Sequence, residues 1–253
     1  MSTMQKVVGA GIGILALAGM MTAAAPRPAV DPATKADDVW RIRATDARII
    51  GGYGDNFAYN GENVRSLKGH AEATVNAEAG TGEIVVEVET TPESGPIRFS
   101  KDQSWTGKIR IVQKLNTNEM AKARIAEETY LHGDTGNEAP VMPKIYNYFA
   151  TWGPAKIFVN GEEVVPMIGS HTMFTEQARR EDGKIARDGE VYSPKLQDKT
   201  GFTDPQETEF HFVAHTAEPD KNNFPPHTGW IHLQFDDVEV SSKPADVEIP
   251  HTG

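Results

Sequence analysis

Eight histidines stand in a chain of 253 residues that has no cysteine. Neutral imidazole is a good ligand for copper, zinc, nickel and iron, so a metal site is the first chemistry these residues point to. The lack of cysteine removes thiol nucleophiles, cysteine-based zinc sites, a blue-copper thiolate and a lipid-modified cysteine anchor. Three of the histidines fall in the two most regularly alternating segments, 209–215 and 230–235. If Phe210, Phe212 and Ala214 face a core together with Ile231, Leu233 and Phe235, then His211, His215 and His232 share the opposite face. His211 and His215 are then about 13 Å apart at ~3.3 Å per residue, and one ion cannot take both. Either can meet His232 across a ladder, where opposed side chains come within about 5 Å. The long connection 216–229 leaves that register open. The plainer alternative is a set of polar residues on a half-exposed sheet.

A second candidate is His171 with Met173. Two residues apart on a strand, they point to one side, and imidazole with thioether suits copper. His171-Thr172-Met173 resembles one fragment of the histidine/methionine motif of periplasmic copper chaperones. The other methionine and histidine of that motif do not line up in this chain. The resemblance implies copper as the ion, on His171 and Met173.

The third candidate is the run from Tyr130 to Glu138. Read as a helix end, it puts His132 at the negative pole of the helix dipole. Asp134 and Glu138 supply oxygen atoms as first- or second-shell carboxylates, which calcium also accepts, although the spacing is not that of an EF-hand. A glycine-rich turn with Asx hydrogen bonds is the alternative. Other catalytic signatures are thin, since the chain has no Gly-x-Ser-x-Gly elbow.

The elements that must position these groups are mostly strands. Glu83, Val85, Glu87 and Glu89 alternate with Ile84, Val86 and Val88, which predicts one buried and one wet face. Further strands are predicted at 71–77, 108–112, 145–152 and 156–159, with a type I′ hairpin turn at Asn160-Gly161. One helix is predicted over 117–132, from a capping-box spacing at Asn116 and Glu119, helical pair spacings including Arg124/Glu128, and Gly133 as its C-cap. The fold class is therefore mainly β, an antiparallel β-sandwich or open barrel with one helix near 117–132.

Along the chain, residues 1–25 read as a signal peptide: Lys6, an apolar run of about 15 residues, then small residues. Residues 26–38 read as a proline-containing leader. A single β-rich domain spans 39–240, with a long polar excursion at 178–207, and a disordered tail runs 241–253. Cleavage after 25 removes only Lys6 among charged residues, taking the net charge from −11 to −12. That acidity excludes nucleic acid as a partner.

The expected protein is secreted or periplasmic and bacterial, and does not span the membrane once cleaved. It binds a metal ion or small ligand through some of His132, His171, Met173, His211, His215 and His232, with Asp134 and Glu138 nearby. Copper or zinc is favoured over calcium. A carbohydrate-binding or envelope module without metal is the first alternative, and a metal-dependent hydrolase or oxidase the second.

Overall fold

The computed structural model describes residues 38–55, 57–115 and 124–250. The expected signal peptide and nearly all of the leader lie outside them, as does 117–123 of the expected helix. Nine long strands carry the fold: β1 Trp40–Gly52, β2 Lys68–Asn76, β3 Thr81–Glu89, β4 Lys108–Leu115, β5 Arg124–Leu131, β6 Ile145–Val159, β7 Glu162–Gln177, β8 Asp204–His215 and β9 Trp230–Ser242. All pairings between them are antiparallel.

Eight of the strands close a ring, in the order β7-β8-β9-β1-β2-β3-β4-β6 and back to β7. Of the two architectures anticipated, the ring makes this the barrel, with 162–168 of β7 and 236–242 of β9 paired on one side only. The strand β6 is long enough to change partners: Ala155–Val159 pairs with β4, and Ile145–Trp152 pairs with β5. It turns into β7 at Asn160-Gly161, where both residues have positive φ, 52° and 89°. That is the type I′ geometry the dipeptide predicts.

The barrel interior is the larger core. Ile84, Val86 and Val88 of β3 point into it, with Glu83, Glu87 and Glu89 exposed on the other face. Phe210, Phe212 and Ala214 of β8 meet Phe235, Leu233 and Ile231 of β9 in direct register, all buried. One polar island sits among them: the Gln113 Oε1 accepts hydrogen bonds from Thr151 and Thr172 at 2.9 and 3.1 Å. Truncating a side chain such as Phe212 to alanine here costs about 3–5 kcal/mol.

The outer face of β6–β9 is covered, not wet. The segments 53–55, 57–64, 178–203 and 216–229 fold over it and build a second core from Ile50, Phe57, Met142, Ile145, Ile185, Tyr192, Phe202 and Trp230. Backbone bonds tie these segments together, from Phe57 N to Phe224 O and from Ile185 N to Tyr59 O. At its C-terminal end, β9 runs to Ser242, and Val247 beyond it is buried against the barrel core. The stretch expected as a tail from 241 thus begins inside a strand.

The described residues contain no α-helix, and 124–131 of the expected helix is β5. The pair that argued for a helix, Arg124/Glu128, is four residues apart, an even number. Residues four apart share a face on a strand as well as on a helix. Seven residues paired with β6 outweigh local propensity.

Candidate functional site

The covered face of β7, β8 and β9 carries the histidines, and a cavity of about 1120 Å³ lies against it. His132, His171, His215, His227 and His232 line the cavity, and Met173 lines it beside them. Its remaining wall is largely apolar and includes Phe57, Met142, Trp152, Phe224 and Trp230. Among the described residues, the charged side chains in the lining are Glu138 and Glu218, with no lysine or arginine.

His132 follows β5 in the left-handed region, at φ 59°. The next residue, Gly133, has φ 53°, and a Cβ there would stand 2.5 Å from the Lys144 backbone nitrogen. This pinch folds the 132–144 loop back on itself and holds the ring of His132 in place. Its Nδ1 donates to the carbonyl of Ala139 at 2.7 Å, and its Nε2 is buried with no partner.

His171 on β7 repeats the pattern. The Nδ1 donates to the Thr151 carbonyl at 3.1 Å, and its Nε2 is buried without a partner. Its ring stacks on Trp152 at 4.6 Å, and the Arg124 guanidinium lies over Trp152 at 3.9 Å. A carbonyl only accepts, so each Nδ1 bears the proton and each Nε2 bears the lone pair. The two rings are 6.4 Å apart between centroids. Burial lowers the affinity of both for a proton; His171 is pushed down to about 3, with the neighbouring His132 adding to the effect.

A separate chain of polar groups starts at Glu209. The Oε1 accepts from Ala178 N at 2.9 Å and from His211 Nε2 at 2.7 Å, and Oε2 from Arg179 N at 3.2 Å and Gln234 Nε2 at 3.0 Å. The other nitrogen of His211, Nδ1, is 2.9 Å from His232 Nε2. Glu209 and His211 are fully buried and His232 is 6% exposed. The Phe57 ring stacks on His232 at 5.3 Å, and Arg179 lies over the same Phe57 at 4.9 Å. Burial, then the neighbouring His211 and Arg179, holds His232 well below the ordinary imidazole range.

The predicted candidates therefore separate into groups. His132 and His171 come together, with Met173 on the same strand face as His171. His211 meets His232, in a diagonal pairing, and His215 instead stacks on His227 at 4.0 Å. So His211 and His215 do serve different places on one strand face. Asp134 and Glu138 are exposed; Glu138 reaches the cavity rim, 4.0 Å from Arg124, and Asp134 is not in its lining. Among the described residues, no three His, Cys, Asp or Glu side chains are placed to hold one ion.

Sequence reasoning missed Glu209 and Arg179. For Glu209 a signal existed, since it lies two residues before His211 and so on the same face. Arg179 opens a segment read as a polar excursion, yet its side chain is fully buried, donating to the carbonyls of Ala58 and Gly183. A search of family models, curated proteins and solved structures finds nothing that matches this chain.

Proposed function

We propose that this is an exported metal-binding protein whose ion sits on Nε2 of His132 and Nε2 of His171. The observation that carries the reading is the pair of buried, unpartnered lone pairs on two rings whose opposite nitrogens are tied to backbone carbonyls. That tie is the arrangement that orients histidine ligands and raises their basicity toward a metal. An unpaired buried acceptor otherwise costs about 1–3 kcal/mol. Two imidazoles that share an ion through bonds of about 2.0–2.1 Å hold their centroids up to roughly 6.4 Å apart, the limit being a linear arrangement.

Copper fits this donor set best. Zinc in a closed site takes four ligands, and no third His, Cys, Asp or Glu joins the pair among the described residues. Soft copper(I) accepts few ligands and tolerates the thioether of Met173, which lines the same cavity. The depressed proton affinity keeps both rings free to ligate well into the acidic range. Export rests on the first 25 residues alone.

The test is a calorimetric titration of the protein with copper and, separately, with zinc. One equivalent of copper bound by the wild type, lost in His132→Ala and in His171→Ala but kept in His215→Ala, supports the reading. Copper binding that survives both substitutions overturns it.

A further inference from the structure

The cavity is far larger than an ion needs, and the relay from Glu209 ends at its wall. Three backbone or amide N–H groups point at the Glu209 carboxylate, so the proton it shares with His211 stays on the imidazole Nε2. With His211 neutral, its Nδ1 is a lone pair and accepts from His232 Nε2–H. By elimination the lone pair of His232 is on Nδ1, which makes no hydrogen bond to any described residue. His232 keeps its small exposed surface where it lines the cavity. Phe57 covers one face of the ring and fixes its plane.

We propose that the cavity is a binding site for an uncharged, largely apolar aromatic molecule bearing a hydroxyl, whose O–H donates to Nδ1 of His232. The wall supplies the ring contacts through Trp152 and Phe224. Glu138 and Glu218 give the lining its charge and repel anions, so carboxylates and phosphates are poor occupants. Within this site Glu209 and His211 are positioning residues. They touch no ligand, and they set the tautomer that leaves Nδ1 free, in the manner of the buried carboxylate that orients a catalytic histidine. This site does not depend on whether His132 and His171 hold a metal.

The probes are 2-naphthol and 2-methoxynaphthalene, which share a ring system and differ in whether the oxygen carries a proton. Each is titrated calorimetrically into the purified full chain. The expected result is that 2-naphthol binds about tenfold tighter or more, the discrimination one buried hydrogen bond provides. In His232→Phe, which keeps a flat ring beside Phe57, the two should bind within about twofold of each other. In Glu209→Gln the preference should shrink several-fold while the methoxy compound binds as before. Equal binding of the two by the wild type, no binding of either, or a tenfold preference that persists in His232→Phe overturns the proposal. The wild-type comparison needs no variant to fold.

Discussion

His211 and His232 sit diagonally on adjacent strands with Nδ1 of one 2.9 Å from Nε2 of the other. Neither ring is reachable from the barrel interior. The contact exists because β8 and β9 turn Phe210, Phe212, Leu233 and Phe235 inward, which forces the residues between them onto the outer face. The second core then buries that face, and an imidazole pair that would be solvated on an open sheet becomes a dry one.

The network around this pair should be sensitive to loss of its carboxylate. Glu209→Ala leaves His211 Nε2 and the backbone N–H groups of Ala178 and Arg179 buried with nothing to donate to, while Gln234 Nε2 keeps only Asp236. Arg179 would also lose the buried charge that most favours its own. Breaking a buried charged network costs about 3–5 kcal/mol. The free energy of unfolding from urea titration should drop by that amount, through a lower midpoint with the slope unchanged. A change under about 1 kcal/mol would contradict the description of Glu209 as the hub.

Acid should weaken the fold. His132, His171 and His232 are all held neutral by burial, with proton affinities below the ordinary value of 6.5. Below pH 6.5 the unfolded chain binds protons at these positions that the folded chain refuses. Stability therefore falls on acidification, by up to about 1.4 kcal/mol per pH unit for each histidine. Asp236, raised to about 6 chiefly by burial, acts the other way: its contribution is present at low pH and lost as pH rises through 6. Glu127 and Glu176, also raised by burial, oppose the histidines in the same sense. Three histidines against one strongly shifted acid leave a net loss between pH 6.5 and 5. Urea midpoints at pH 8, 6.5 and 5 should show a plateau and then a fall, and His171→Gln should flatten the fall by about one proton. A midpoint that rises from pH 6.5 to 5 would refute this.

The pinch at Gly133 links fold to site. Alanine there puts a methyl against the Lys144 backbone and requires a left-handed φ. The 132–144 loop must move, carrying His132 and the Ala139 carbonyl that orients it. The melting temperature should fall, and copper affinity should weaken at least tenfold, as when an outer-shell partner of a ligand is lost. Unchanged copper affinity in a folded Gly133→Ala protein would separate His132 from the ion.

Much of the barrel was legible in the sequence, because a buried β face writes itself as period-two alternation. The β3 pattern and the opposed faces of β8 and β9 follow from residue type alone, and Asn160-Gly161 announces its turn. The helix over 117–132 misread 124–131, where charges four residues apart fit either element and pairing with β6 decides. The sequence placed the histidines on one face but not with their partners. Whether His232 met His211 or His215 depended on a register across a 14-residue connection, and His132 met His171 only through the closure of the barrel and the fold of one loop. The face is buried partly by a charged segment, 178–207, whose few apolar residues, Ile185, Tyr192 and Phe202, join Phe57 and Phe224 in covering it.

The measurement that bears most directly on the account is the metal content of the protein, purified without an affinity tag, by elemental mass spectrometry. About one equivalent of copper, absent from His171→Ala purified in the same way, is the predicted result. A folded wild-type protein that carries no metal, and whose melting temperature does not move when copper or zinc is added, would contradict it.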